Sequence, residues 1–152
     1  MSSNESRATV ESIMRRRPVT VHMDEPLWKV RNLMHARRFH HVLVATGDRI
    51  VGIVSDRDVL RALSPAADKP NVARTSDLAT LETRVHLIMS REIISVSPST
   101  PIVDATRTLL ERRINCLPVL EEDGYCVGII TSYDVLCWCV DQLAPQEERE
   151  AA

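Results

Sequence analysis

The sequence predicts an α+β fold built from two pseudo-symmetric βαββα repeats packed sheet to sheet. Three observations carry that expectation. First, the segment Gly52-Ile53-Val54-Ser55-Asp56-Arg57-Asp58 returns as Gly128-Ile129-Ile130-Thr131-Ser132-Tyr133-Asp134. Second, the flanks return in the same order: Ile13-Met14 with Ile88-Met89, Glu25-Pro26-Leu27 with Thr100-Pro101-Ile102, Arg37-Arg38-Phe39 with Arg112-Arg113-Ile114. The offset is 75 residues up to the hairpin and 76 beyond it, so one residue is inserted there. Third, all 4 glycines lie in two matched places, Gly47 with Gly52 and Gly124 with Gly128, as two glycine-assisted hairpins require.

The elements follow in order. Residues 1–8 are polar and expected to fray. Thr9 caps a short helix through Met14, and Arg15-Arg16-Arg17 follows as a solvated helix end or a phosphate-facing edge. A strand covers 18–22. Pro26 suits the first turn of a helix, on which Leu27, Val30, Leu33 and Met34 form one stripe ending near Arg38. Strands 41–46 and 50–55 flank the turn at Gly47-Asp48, and a helix over 56–63 closes the first repeat, 9–63. Residues 64–83 carry Ser64-Pro65 and Lys69-Pro70-Asn71, a linker with one short helix around Ser76 to Leu81. The second repeat, 84–143, places helix 84–89, strand 93–97, helix 100–113, strands 117–121 and 126–131, and helix 132–143. Its stripes are Ile102, Ala105, Leu109 and Leu110, then Val135, Leu136 and Val140. A charged tail, 144–152, is expected to be loose. Each repeat alone is marginal in size for a core, so a pair with a cleft between its halves is the natural solution.

Composition narrows the function. Hydrophobic residues make up 44% of the 152 but aromatics only 3%, so the core must be aliphatic. A formal charge of −2 gives no reason to expect nucleic acid as a partner. No apolar run approaches the ~20 residues needed to span a bilayer, and the start lacks a signal-peptide core. A cytoplasmic location with no membrane contact is expected, with the 4 cysteines as thiols. There is no G-x-S-x-G, P-loop, H-E-x-x-H or dinucleotide fingerprint, so no catalytic residue is assigned and the chain is not expected to be an enzyme. Nor is a metal expected. His40 and His41 are neighbours on a strand and point to opposite faces. Cys137 and Cys139 diverge on a helix and suit apolar packing, and Cys116 and Cys126 suit buried strands.

The repeated Ser/Thr–x–x–Asp segments allow two readings. In one, Ser55 with Asp58 and Thr131 with Asp134 are capping boxes that satisfy orphan helix N–H groups. In the other, the same carboxylates accept the paired hydroxyls of a ribose at the end of a strand.

With these motifs on both copies, the chain resembles a tandem pair of CBS domains, or Bateman module, over about residues 9–143. It is similar to stand-alone bacterial CBS-pair proteins, including acetoin-utilisation regulators, and to the regulatory insert of IMP dehydrogenases. The resemblance implies a regulatory module that binds AMP, ADP, ATP or S-adenosylmethionine between its two domains, with no cofactor required. By position, Asp58 and Asp134 would hold ribose hydroxyls, and Ser55 and Thr131 ribose or phosphate. Ile53 and Ile129 would line the base pocket. Pro18 and Val19, Ile93 and Ile94, Phe39, His40 and His41, and Ile114, Asn115 and Cys116 would contact the base. Arg57 and Tyr133 occupy equivalent positions with different chemistry, so the two sites should differ. Arg57, Arg15, Arg16, Arg17 and Arg38 are the candidate phosphate partners. The first repeat departs from the family pattern at Val42-Leu43-Val44, where the second keeps Pro118.

The leading expectation is thus a sensor of adenosine nucleotides that transmits a conformational change to a regulated protein. It should work as a homodimer joined through the helices that begin at Leu27 and Ile102. The alternative is an interaction scaffold that binds no nucleotide. A metalloprotein or redox enzyme is the third option.

Overall fold

The computed structural model describes residues 8–143; the expectations for the chain start and for the tail 144–152 lie outside them. In chain order the strands are β1 (Arg15–Arg16), β2 (Thr20–His22), β3 (His41–Thr46), β4 (Arg49–Ser55), β5 (Cys116–Leu120) and β6 (Cys126–Thr131). The helices are α1 (Leu27–Arg37), α2 (Asp56–Ala62), α3 (Thr75–Ala79), α4 (Ile102–Arg112) and α5 (Ser132–Leu143). The strands form two three-stranded sheets, β2-β3-β4 and β1-β6-β5, so the fold is α+β as expected.

The compact bodies do not coincide with the sequence repeats. Of the described residues, one unit is 19–93, and the other joins 8–18 to 94–143. The segment that leads each repeat therefore packs into the unit built from the other. β1 pairs antiparallel with β6, Arg15 opposite Ile129 and Arg16 opposite Gly128. At the equivalent place in the unit 19–93, Ser90 bridges Ile53 with two main-chain hydrogen bonds of 3.0 and 2.9 Å.

The same segments complete the helix starts. α1 and α4 begin after Pro26 and Pro101 without a side-chain cap. Their first N–H groups donate instead to carbonyls of the leading segments, Leu27 to Thr83 at 2.9 Å and Ile102 to Ala8 at 3.0 Å. An orphan helix donor is thereby satisfied by tertiary structure.

Glycine makes the approach possible. A β-carbon added at Gly52 would lie 2.6 Å from the Met89 sulfur and 2.9 Å from the Ser90 carbonyl oxygen. One added at Gly128 would lie 2.6 Å from the Met14 sulfur and 3.1 Å from the Arg15 carbonyl oxygen. Both methionines are buried members of aliphatic cores. The unit 19–93 packs Leu27, Val30, Met34, Val42, Val44, Val54, Val59, Val85 and Met89 together. The other unit packs Val10, Met14, Ala105, Leu109, Leu117, Val119, Ile130 and Val135.

Several expectations are corrected. The leading helices are single 3-10 turns, Val10–Ser12 and Val85–Leu87, and the Thr9 side chain caps nothing. The strand expected over 93–97 shrinks to one parallel bridge, Val96 to Val119. Its counterpart β2 forms a full ladder on β3, Thr20 to Leu43 through His22 to Ala45. The difference lies at Pro118, which stands where Leu43 does and has no N–H to donate, so the ladder cannot extend. Leu110 is 73% exposed, Leu136 63% and Val140 65%. Each sits one residue past an inward position, Leu109, Val135 and Cys139, and is carried about 100° round the helix, out of the core. The stripes from Leu27 and Ile102 themselves face inward, into their own cores. The linker is anchored: Ser64 donates to Asp77 at 2.6 Å, and its N–H to Thr80 Oγ1 at 3.1 Å.

Replacing Gly52 by alanine should destabilise the protein by about 1–3 kcal/mol, as overpacking does. Gly128→Ala should cost less, because its new methyl meets only the flexible end of Met14 inside 3.0 Å. Urea unfolding of the two variants measures the difference.

Candidate functional site

Each unit ends the second strand of its hairpin at a hydroxyl residue and starts a helix with an aspartate in its first turn. In the unit 19–93, Ser55 is extended, and its Oγ accepts from the Asp58 N–H at 3.2 Å. Asp58 Oδ2 accepts from the Ser55 N–H at 2.9 Å and from the Ser55 hydroxyl at 2.6 Å. In the other unit Asp134 Oδ2 accepts from the Thr131 N–H at 2.8 Å and from Thr131 Oγ1 at 2.5 Å. The Asp134 N–H donates back to Thr131 Oγ1 at 3.3 Å. Both capping boxes are thus complete, and in both one carboxylate oxygen is pinned while the other points elsewhere.

The surroundings of the two carboxylates differ. No described residue donates to Asp58 Oδ1. Asp134 Oδ1 accepts from Arg15 Nε at 2.8 Å, and the Arg15 guanidinium lies 6.0 Å from the centre of the Tyr133 ring. Beside Asp58, the neighbouring Asp56 takes His40 Nδ1 at 2.8 Å and the Arg57 N–H at 2.8 Å. The His40 hydrogen bond is the main reason the Asp56 carboxyl titrates below its ordinary value. The Asp56 N–H donates to the His40 carbonyl at 3.0 Å, as Ser132 does to the Asn115 carbonyl at 3.0 Å.

The β3–β4 register sets His41 opposite Ser55 and Leu43 opposite Ile53. The β5–β6 register sets Cys116 opposite Thr131 and Pro118 opposite Ile129. His40, His41, Ile53, Ser55 and Asp58 therefore gather at one sheet end, and Asn115, Cys116, Ile129, Thr131 and Asp134 at the other. Phe39 packs against one core, and Ile94 and Ile114 against the other. Cys116 is buried, and burial pushes its thiol up to about 12, which makes it inert. Arg57 and Tyr133 are exposed on the helices. Pro18 and Val19 fall on opposite sides of a unit boundary, as do Ile93 and Ile94. The His40–Asp56 pair was not foreseen, and neither was the Arg15–Asp134 pair, whose partners stand 119 residues apart. Cys137 is exposed, and only Cys139 of that pair packs against the core.

Among the described residues no three or more His, Cys, Asp or Glu side chains group as a metal site would require. No described helix is long and apolar enough to cross a membrane.

Two matching units of this construction define a duplicated α+β fold. The CBS domain family matches residues 10–65 and 85–141, and the chain belongs to that family as a tandem pair. A CBS domain-containing protein of Dictyostelium discoideum is 25% identical over 143 residues, 91% of this chain and 96% of the relative. A Vibrio cholerae protein assigned to acetoin utilization (AcuB) superimposes with a TM-score of 0.76 at 29% identity, over 93% of this chain and 96% of its own. CBSX2, solved in complex with AMP, superimposes with a TM-score of 0.73 at 26% identity, over 90% and 98%.

Two consequences follow from this geometry. Asp58→Ala and Asp134→Ala each remove a cap and should each lower unfolding stability by about 0.5–2 kcal/mol, read by urea melts. Burial also holds the His41 imidazole below its ordinary 6.5. The unfolded chain then binds the proton first as pH falls, so the stability that neutral His41 contributes is present above about 6.5 and declines below it. His41→Cys, which copies the residue at the matching place, should flatten the stability profile between about pH 7 and pH 5.

Proposed function

We propose that this CBS pair is a cytoplasmic regulatory module that binds adenosine-containing ligands, AMP foremost, with ADP, ATP and S-adenosylmethionine as candidates. The observation that supports this reading is the twice-built carboxylate. Asp58 and Asp134 are each oriented through Oδ2 by the preceding hydroxyl residue, which leaves Asp58 Oδ1, and Asp134 Oδ1 once Arg15 yields it, as the acceptor for a ribose diol. The likeness to CBSX2, solved with AMP, supports the ligand class. Ser55 and Thr131 would then contact ribose or phosphate, and Ile53 and Ile129 the base. His40 and His41 in one unit, and Asn115 in the other, would flank it. A bound ligand would act on a regulated protein only by favouring one conformation of the pair over another.

A homodimer is part of the same proposal. The inward stripes of α1 and α4 leave the outward apolar residues, such as Val103 and Leu110 on α4 and Leu136 and Val140 on α5, as the surfaces available for it. The scaffold reading has its own support, since both capping boxes are complete without a ligand.

Thermal melts with AMP, ADP, ATP and S-adenosylmethionine separate the two readings. One-site binding at 100 times Kd should add about 2.7 kcal/mol. The Asp58→Asn, Asp134→Asn double variant should lose that response while remaining folded. If no nucleotide moves the melting temperature of the native sequence, the scaffold reading stands.

A further inference from the structure

Resting on the assignment of Asp134 to the ribose, we propose that Arg15 makes the Asp134 site select ligands that carry a phosphate, while the Asp58 site makes no such demand. The two sites share their backbone and their pinned Oδ2, so the difference must come from what meets Oδ1. At Asp134 that oxygen is already engaged by Arg15 Nε at 2.8 Å. The Asp134 side chain is only 9% exposed, whereas Arg15 is 53% exposed. The inner end of the pair is therefore sheltered and its outer end open.

Arg15 is placed by the backbone, since its strand pairs with Ile129 two residues before Thr131. Among the described residues, nothing accepts from its two terminal amino groups. They form a fork of the kind that grips a phosphate through two parallel hydrogen bonds. Tyr133, the first residue before Asp134, lies beside the guanidinium and limits where it can swing.

A ribose diol arriving at Asp134 must compete with Arg15 for Oδ1. A neutral nucleoside breaks a charge-assisted hydrogen bond and gives the arginine nothing in return. A nucleotide breaks the same bond and offers its phosphate to the released guanidinium. In the other unit the position of Arg15 is held by Ser90, whose side chain reaches only the Glu92 carbonyl, at 3.5 Å. Among the described residues none then competes for Asp58 Oδ1, and serine rather than arginine stands at that position. The repeat thus contains its own control, one pinned aspartate with the arginine and one without.

The test isolates the site. In an Asp58→Asn background only the Asp134 site remains, and calorimetry with adenosine and with AMP gives the ratio of their affinities. The expected preference for AMP is at least tenfold, collapsing toward unity in Arg15→Ser, chiefly because adenosine binds more tightly once its competitor is gone. Arg15→Lys, which keeps charge but loses the fork, should fall between. Reciprocally, Ser90→Arg in an Asp134→Asn background should create a preference for AMP at the Asp58 site. An unchanged ratio in Arg15→Ser, with binding intact and circular dichroism native, overturns the role of Arg15 and leaves the ribose reading standing. Failure of both adenosine and AMP to bind the native sequence, or binding that survives Asp134→Asn in the Asp58→Asn background, overturns the ribose reading and this proposal with it.

Discussion

The structure depends on a close approach between a glycine and a methionine, made twice. Gly52 sits in β4 and Gly128 in β6, and each leaves the space of one methyl group into which a methionine from the leading segment of the other repeat is set. Methionine suits the task because its thioether is unbranched and adapts to irregular gaps. With the leading segment seated, its carbonyls satisfy the first helix N–H groups, and a short strand or bridge extends the sheet. Neither repeat closes a core from its own residues alone. A stretch of about 60 residues is marginal for that in any case, and the exchange makes the two repeats interdependent for folding.

On this common frame the two units diverge where chemistry is concerned. Identical positions carry Ser90 and Arg15, His41 and Cys116, His40 and Asn115, Arg57 and Tyr133. The shared residues are those the backbone needs: the glycine, the capping hydroxyl and its aspartate, the proline before the long helix. The divergent ones lie on the elements that flank the aspartate. One unit sets a His40–Asp56 pair and a half-buried His41 beside its aspartate. The other sets an arginine directly on it, backed by a tyrosine ring. Duplication preserved the scaffold and released the electrostatics, so two aspartates held alike by the backbone face different side chains.

What the sequence disclosed follows from the same division. The hairpins, the capping boxes and the inward stripes were legible because each is local, and a local rule leaves the same residues in both copies. The exchange of leading segments was not legible. A leading helix at fixed spacing before its strand reads the same whether it packs on its own repeat or on the other. The Arg15–Asp134 pair was hidden for that reason, although both residues had been singled out separately. Smaller errors are also physical. Pro118 withholds the N–H that a strand at 93–97 would have required. Leu110, Leu136 and Val140 are apolar and sit next to true core positions, so hydrophobicity alone could not tell the inner edge of the stripe from the outer.

The start of each hairpin is fixed by a different device, which the repeat also duplicates. Arg38 and Arg113 end α1 and α4 in the left-handed conformation, at φ of 55° and 53°. For a residue with a β-carbon this costs roughly 1 kcal/mol. The cost is offset by what the turn secures. Phe39 donates its N–H back to the Met34 carbonyl at 2.9 Å, and Ile114 to the Leu109 carbonyl at 3.1 Å, the closing bond of a Schellman turn. Phe39 and Ile114 then pack against their cores, which fixes the direction in which the chain leaves the helix. The next two residues are His40-His41 in one unit and Asn115-Cys116 in the other, and the carbonyl of the first holds the start of the following helix. The strained arginine thus sets where the hairpin starts, and the missing β-carbon sets how closely the leading segment approaches it. Neither device depends on the residue that meets the carboxylate, so Arg15 can face Asp134 while Ser90 stands at the matching place in the other unit without any change in the frame.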